Sequence, residues 1–253
     1  MGIVICAYQR PSYTIRGRDD LRPDQRKAKL NDNTKLLVIG SSGHASVLVD
    51  AIELAGVYSI AGYLDDTVPV GTTRGNYSVL GGLDRAASVC AELRVENVVI
   101  AIGDNWWRRK VYSDLAQKCP QAKFPVVKHP SAVVAASATL GKGAAVLAGS
   151  HVGPGSRVGE FAIVNTAGSM DHDCILHDFA SIAPGAFMGG LVEIGECSAV
   201  GVGASISDRI SIGRHTVVGT GAVVVRNIPD LVVAYGNPAR VKRPRTEGEK
   251  YLG

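Results

Sequence analysis

One short segment, SMDHDCILHDFASIAPGA from Ser169 to Ala186, carries two histidines and three aspartates among small and aliphatic residues. A neutral imidazole, with an ordinary pKa of about 6.5, can take a proton from an amine as its nitrogen attacks a thioester. The same residue types can also bind a metal ion or cover a solvated surface. Which chemistry applies depends on where His172 and Asp173 point, and the period of the surrounding chain sets that direction.

The C-terminal half of the chain repeats with a period of six. An aliphatic residue or methionine recurs at every sixth position from Leu140 to Val224 without a break. The next position is often glycine, and the position four after the apolar residue is small in nearly every repeat. This pattern predicts a parallel β-helix, in which three hexapeptides form one triangular coil. The fifteen repeats predict five coils, about 24 Å tall at about 4.8 Å per coil.

In this frame His172 and Asp173 lie between two inward positions, Met170 and Cys174, so both project away from the coil core. An isolated histidine on such a face is usually a solvated surface residue. The adjacent Asp173 favours an acid/base pair, since a carboxylate can orient the imidazole.

A zinc site formed by His151, His172 and His177 is an alternative that the spacing disfavours. His151 precedes His172 by 21 residues, whereas one coil contains three hexapeptides, so the two histidines are displaced by half a hexapeptide rather than stacked. His177 takes a position where the repeat usually has glycine, and we expect no chemical role for it.

The first half of the chain predicts a smaller domain. Residues 1–34 end in a charged, aperiodic stretch, which we interpret as an extension that is flexible or docks on a neighbour. In residues 35–128 the buried strands KLLVIG, SIAGYLDD and NVVIAIG alternate with helices. This order predicts a small, parallel, Rossmann-like sheet. We place the β-helix at 129–243 and a tail at 244–253.

The turns of this domain have the composition of a nucleotide-binding site. GSSGHA follows the first strand and opens a helix, where free N–H groups can receive phosphate oxygens. It lacks the third glycine of a dinucleotide fingerprint, and a plain strand-to-helix turn would look the same. Two aspartates after the second strand can contact a ribose or base, or form a solvated turn. The candidate substrate-binding residues are Gly40, Ser42, Gly43, His44, Asp65, Asp66, Gly103 and Asn105.

Composition narrows the class of protein. With 46% hydrophobic and 20% charged residues the chain has the balance of a soluble globular protein, and 30 glycines against four phenylalanines indicate small-residue packing. A net charge of +4, with basic residues near the two ends, does not indicate a nucleic-acid partner. Five cysteines without a CxxC pair and no apparent membrane segment lead us to expect a cytoplasmic protein.

From Lys35 to Arg243 the sequence resembles hexapeptide acyltransferases of the sialic-acid O-acetyltransferase and UDP-4-amino-sugar N-acetyltransferase type. The resemblance rests on the hexapeptides and on VIGSSGHASVLVDAI, GYLDD, VVIAIGDN, HPSAVV, DHDC, PGAFMGG and GNPAR. It implies a left-handed helix, a homotrimer with acetyl-CoA between subunits, His172 as general base and no metal. The acetyl-CoA-binding residues that it implies are Ser181, Gly189, Gly190, Gly203, Ala204, Pro238 and Arg240, with an amide of Gly189 or Gly190 facing the oxyanion.

These features predict an acetyl-CoA-dependent N-acetyltransferase acting on the amine of a nucleotide-linked amino sugar, in bacterial surface glycan biosynthesis. Transfer would be direct, because no cysteine is placed as a nucleophile. One alternative is a sugar O-acetyltransferase of the sialic-acid type, and another is a non-catalytic, nucleotide-binding β-helix scaffold. One departure from the family pattern is Ser181, which stands where the amino-sugar N-acetyltransferases commonly carry a second histidine.

Overall fold

The computed structural model describes residues 34–251, so the predicted extension lies almost wholly outside the described residues. An α/β domain comes first. Its elements are β1 (Lys35–Ile39), α1 (Gly43–Ala55), β2 (Ser59–Leu64), β3 (Thr73–Arg74), β4 (Tyr77–Gly81), a 3-10 helix (Leu83–Arg85), α2 (Ala86–Leu93), β5 (Asn97–Ile100) and α3 (Asn105–Lys118).

The α/β domain is built on one sheet with the strand order β3-β4-β2-β1-β5. All neighbours in it are parallel except β3 and β4, which form an antiparallel pair. The three strands and three helices expected from the sequence are present. Strands β3 and β4 were not predicted, because the segment 67–82 is rich in glycine and threonine and lacks a continuous apolar run.

From Val127 onward the chain forms a left-handed parallel β-helix, as predicted. Within residues 34–251, seventeen two-residue strands follow one another at intervals of six and form the three faces of a triangular coil. They are β6 (Val127–Lys128), β7 (Val133–Val134), β8 (Thr139–Leu140), β9 (Ala145–Val146), β10 (His151–Val152), β11 (Arg157–Val158), β12 (Ile163–Val164), β13 (Ser169–Met170), β14 (Ile175–Leu176), β15 (Ser181–Ile182), β16 (Phe187–Met188), β17 (Glu193–Ile194), β18 (Ala199–Val200), β19 (Ser205–Ile206), β20 (Ser211–Ile212), β21 (Val217–Val218) and β22 (Val223–Val224).

The register of the coil explains its hexapeptide pattern. Successive coils pair in parallel, as Val152 does with Met170, and from β7 onward the second residue of each strand packs into the core of the coil. The glycine that often follows is a steric requirement, because a side chain at Gly153 or Gly201 would meet the backbone of the next coil at 2.7 or 2.6 Å. The regular pairing already begins at Val127, two hexapeptides before the first residue of the unbroken repeat.

The chain leaves the coil through an antiparallel hairpin, β23 (Val232–Gly236) and β24 (Ala239–Pro244), which extends one of the three faces. No helix among residues 34–251 has the length and apolar character that spanning a membrane requires.

Arg108 of α3 joins the α/β domain to the coil. Its side chain is 1% exposed and makes no ion pair with any residue from 34 to 251. Its N–H groups instead donate to four backbone carbonyls and one side-chain amide oxygen at 2.7–3.0 Å. Two of these carbonyls belong to Phe161 and Phe179, which stack at adjacent coil corners with ring centroids 5.3 Å apart. Burial lowers the pKa of Arg108 to about 10, so the guanidinium remains charged at neutral pH.

Candidate active site

His172 lies at the coil corner between β13 and β14. The side chains of His172 and Asp173 are 52% and 58% exposed, whereas Met170 and Cys174 are fully buried in the coil. The pair therefore points outward, as the hexapeptide frame predicted. Asp173 has a left-handed backbone, φ 56°, at the corner position that elsewhere is often glycine. Aspartate is one of the few other residues that adopt this conformation readily.

The imidazole of His172 is oriented by its neighbour. Its Nδ1 lies 2.9 Å from Oδ2 of Asp173, which leaves Nε2 as the nitrogen that can accept a proton. The hydrogen bond to Asp173 raises the pKa of His172 above its ordinary value, and the negative charges of Asp171 and Asp208 raise it further. The neutral, basic form of the ring therefore predominates only above this raised pKa.

Ser156, one coil earlier, holds this corner in place, and the sequence analysis did not identify it. Its buried hydroxyl donates to the carbonyl of Asp171 at 2.6 Å and accepts the N–H of Cys174 at 3.0 Å. The thiol of Cys174 donates to the carbonyl of Gly189 at 3.0 Å. Burial raises the pKa of Cys174, so this residue is a protonated packing group rather than a nucleophile.

Three residues predicted to bind acetyl-CoA have other contacts in the structure. The N–H groups of Gly189 and Gly190 already donate, to the carbonyl of Ile206 at 2.9 Å and to Oδ1 of Asp208 at 3.0 Å, so neither is free for an oxyanion. The visible role of Gly190 is steric, because a Cβ there would collide with the His172 ring. The side chain of Ala204 is fully buried inside the coil and its N–H donates to the carbonyl of Gly201, so its contact with acetyl-CoA stays a prediction.

The predicted nucleotide turns meet at the carboxyl edge of the sheet. A cavity of about 230 Å³ is lined there by five of the candidate substrate-binding residues, Gly40, Ser42, Asp65, Asp66 and Gly103, and also by Trp107. Trp107 is 55% exposed at this cavity, whereas Trp106 packs on His215 with ring centroids 5.5 Å apart.

The two aspartates at this edge differ in their contacts. Asp65 accepts hydrogen bonds from the N–H and hydroxyl of both Ser41 and Thr67 at 2.7–2.8 Å, so it ties the two turns together. Partial burial pushes the pKa of Asp65 upward, but the bonds from Thr67 and Ser41 outweigh this and lower it. Asp66 accepts one bond, from the N–H of Leu83 at 2.7 Å, and is the aspartate better placed to receive a ligand.

The start of α1 is open to a ligand. Ser42 is the N-cap residue, yet its side chain makes no capping hydrogen bond to the helix. A side chain at Gly43 would meet no other atom within 4 Å. The first N–H groups of a 13-residue helix therefore face accessible space, which is the arrangement that binds phosphate oxygens.

A second cleft, of about 380 Å³, lies between the α/β domain and the coil. His44 and Gly103 line it on one side, and Ser181 and Gly201 on the other. The Nε2 atom of His44 is buried and has no hydrogen-bonding partner among residues 34–251. Burial, and secondarily the charge of Arg108, lowers the pKa of His44 to about 4, so the ring is neutral. An unpaired buried nitrogen is costly, which marks this cleft as a place for a polar ligand.

Asn105 does not line this cleft. Its side chain is fully buried, donates to the carbonyl of Ser198 at 2.9 Å and accepts from Arg108 at 2.7 Å. The amide therefore belongs to the junction between the two domains, and a contact between Asn105 and substrate stays a prediction.

The remaining candidates lie elsewhere on the coil. Gly203 occupies a left-handed corner, φ 65°, next to residues that line the larger cleft, while Pro238 and Arg240 are exposed on the terminal hairpin. His177 is bonded to Glu193 at 2.6 Å, and His151 pairs with Ser169 rather than with the His172 corner. No cluster of three or more His, Cys, Asp or Glu residues that could hold a metal ion occurs in the described range 34–251.

Comparisons with known proteins agree with this geometry. Residues 35–115 match the family described as PglD N-terminal domain. The acetyltransferase domain of PglB from Neisseria gonorrhoeae FA1090, solved with acetyl coenzyme A, is 36% identical with a TM-score of 0.77. That alignment covers 83% of this chain and 100% of PglB's domain.

Two further relatives are described or named with GDP-perosamine. PerB from Caulobacter crescentus, solved with CoA and GDP-perosamine, is 35% identical with a TM-score of 0.77, over 83% of this chain and 97% of its own. A GDP-perosamine N-acetyltransferase from Escherichia coli O157:H7 is 33% identical over 75 residues. This last match spans only 30% of the present chain and 34% of that enzyme.

Proposed function

The chain belongs to the hexapeptide-repeat acyltransferase family of the sialic-acid O-acetyltransferase and UDP-4-amino-sugar N-acetyltransferase type, and from this we propose that it acetylates the amine of a nucleotide-linked amino sugar with acetyl-CoA. The observation that carries the proposal is the outward His172–Asp173 pair, joined by a 2.9 Å contact at a coil corner. The names of the relatives, which include CoA and GDP-perosamine, support this substrate class over a free sugar.

In the proposed reaction the amine nitrogen of the sugar attacks the thioester carbonyl of acetyl-CoA. Nε2 of His172 takes the proton that the nitrogen loses, and Asp173 stabilises the imidazolium that forms. The tetrahedral intermediate then expels the CoA sulfur, which receives that proton from His172. No acyl-enzyme is required, in keeping with the buried, protonated thiol of Cys174.

We propose that the nucleotide binds in the smaller cavity of the α/β domain. The open N-terminus of α1 would receive the phosphates, and Asp66 and Trp107 would contact the nucleoside. The sugar would then extend toward the larger cleft and His44, while acetyl-CoA would lie along the coil beside Ser181.

We also propose a homotrimer, because one chain does not bring the base and the cleft together. His172 follows β13, whereas the cleft runs along β15 and β18 on another face of the triangular coil. A threefold assembly would place the His172 of one subunit at the cleft of the next. The exposed Phe187 and Leu191 beside the His172 corner support a contact surface there.

Light scattering should give three times the 26.5 kDa of one chain, and a monomeric mass at micromolar concentration would contradict the trimer.

The experiment that tests the function is a screen for free thiol released from acetyl-CoA in the presence of nucleotide-linked 4-amino sugars with different bases. The proposal requires release that depends on the amine and stops when the corresponding 4-hydroxy sugar is supplied. Release with a sialic acid instead would favour the O-acetyltransferase, and nucleotide-sugar binding without release would favour a scaffold.

We propose a cytoplasmic location, where acetyl-CoA is available, and cell fractionation would test it.

Replacing Gly43 with leucine should weaken nucleotide-sugar binding by at least tenfold while sparing acetyl-CoA. The new side chain has open space within the chain itself, so it should obstruct the phosphates rather than disturb the fold. Calorimetric titration of each ligand is the measurement. An equal loss of both ligands would contradict the assignment of this turn to the nucleotide.

A further inference from the structure

Residues Arg245–Tyr251, which we call the C-terminal strap, fold back from β24 onto the junction between the two domains. The Arg245 side chain is almost fully buried, bonds to the carbonyl of Glu249, and lies over the Tyr251 ring at 5.6 Å. Glu249 also pairs with Arg243 at 2.6 Å. The strap is therefore held by charged contacts of its own as well as by packing.

Two contacts fasten the strap to the rest of the molecule. Glu247 lies 3.6 Å from Nε2 of His215 on the coil. Gly248 packs so closely on the indole of Trp106 in α3 that a side chain there would meet Nε1 of the ring at 2.6 Å. The strap thus follows a defined course that ends with Tyr251 at the larger cleft.

The hydroxyl of Tyr251 lies among groups from both domains. It accepts the N–H of Asn105 at 3.3 Å and lies 3.5 Å from the carbonyl of Gly103, and Tyr251 lines the same cleft as Ser181. Gly103 and Asn105 follow β5 at the sheet edge that carries the nucleotide turns, whereas Ser181 begins β15. Tyr251 therefore stands where the proposed sugar and acetyl-CoA positions meet.

The chemistry of this position suits a donor to a ligand. Burial raises the pKa of Tyr251, so the phenol is protonated and has one O–H to donate. The contact with the Gly103 carbonyl, at 3.5 Å, is at the limit of a hydrogen bond, so a closer acceptor would compete for the proton. His44, whose buried Nε2 has no partner in residues 34–251, lines the same cleft.

The walls of the cleft indicate which part of a ligand fits. Its coil side is mainly aliphatic, with Ile163, Ile182, Val200 and Val217, and the residues that line it include no Lys, Arg, Asp or Glu. A phosphate would therefore meet no cation on the cleft wall, whereas a sugar ring with few hydroxyl groups could place its apolar face on these residues and its oxygens near the donors.

We propose that Tyr251 is a specificity-determining residue of the active site, whose hydroxyl contacts the sugar ring of the nucleotide amino sugar. This inference rests on the proposed function, since it assumes that the sugar enters the larger cleft. It adds the C-terminal strap to the substrate site.

The test compares Tyr251→Phe with Tyr58→Phe, a control at the amino end of β2, far from the nucleotide turns. Loss of one hydrogen bond should raise the KM and Kd for the nucleotide amino sugar by about 3- to 10-fold. The Kd of acetyl-CoA should stay unchanged in both variants. The thermal midpoint should stay unchanged in Tyr58→Phe and fall slightly in Tyr251→Phe, because the N–H of Asn105 loses its 3.3 Å acceptor. Tyr251→Ala, which also removes the ring, should cause a larger loss with the same selectivity for the sugar ligand.

Several outcomes would overturn the inference. An unchanged KM and Kd for the nucleotide sugar in Tyr251→Phe would show that the hydroxyl does not contact it. Equal losses of both ligands, together with a lower thermal midpoint, would show a purely structural strap. If the wild type binds nucleotide amino sugars but releases no thiol, the proposed function fails, yet the calorimetric comparison still decides the role of Tyr251.

Discussion

Replacing His172 with alanine is expected to lower kcat by about 10² to 10⁴-fold, the usual contribution of a general base. The KM of either substrate should change little, because the imidazole acts on the proton transferred in the transition state rather than on ground-state binding. The side chain is half exposed, and changes at such positions usually alter the free energy of unfolding by less than about 0.5 kcal/mol. Steady-state kinetics together with a thermal melt measure both effects.

Two further variants sharpen this test. His177→Ala is the matched control, since His177 also bonds to a carboxylate on the outer face of the coil, and it should leave turnover near that of the wild type. Asp173→Asn should be milder than His172→Ala. Because the bond to Asp173 is the largest cause of the raised His172 pKa, this variant should move the rise of kcat with pH to lower pH.

Two results would contradict the role of His172 as the base. One is near-wild-type turnover of His172→Ala. The other is stoichiometric zinc in the wild type that is lost equally in His172→Ala and His177→Ala, because that would restore the metal site disfavoured by the spacing.

The sequence could predict the coil and the direction of His172 because one local rule sets both. In each hexapeptide of a parallel β-helix the aliphatic position and the small position four residues later point inward, so the inward Met170 and Cys174 place His172 and Asp173 between them on the outside. The same rule says nothing of which amides are already bonded. The N–H of Gly190 is taken by Asp208, one coil later, and this is visible only once the coils are stacked.

The parts of the site that could not be predicted from the sequence depend on contacts between distant segments. Tyr251 reaches Asn105 across 146 positions, and no periodicity connects the two. Asn105 follows the third predicted strand, which made it a reasonable ligand for a nucleotide. The structure instead uses its side chain to join Arg108 to the coil, because burial at the junction requires every polar group to find a partner.

A strongly destabilising single substitution is expected at Arg108. Arg108→Met keeps an unbranched, buried side chain but removes the donors to four backbone carbonyls, two of them at the stacked corners of Phe161 and Phe179. Each buried acceptor left unsatisfied costs about 1–3 kcal/mol. Removing a buried guanidinium also removes the cost of taking its charge out of water. At buried ion pairs this gain can leave the free energy of unfolding unchanged when apolar residues replace the pair. That compensation is incomplete here, because the carbonyls cannot be replaced along with the charge.

We therefore expect Arg108→Met to lower the free energy of unfolding by about 3–5 kcal/mol, and Arg108→Lys by less, since an ammonium offers three donors. Urea unfolding followed by circular dichroism is the measurement. Arg109→Met is the control: the neighbouring Arg109 is half exposed and pairs with Glu196 at 3.2 Å, so its loss should cost at most about 1 kcal/mol. If Arg108→Met were as stable as Arg109→Met, water would have to replace the guanidinium at the domain junction, and Arg108 would not be what fastens the α/β domain to the coil.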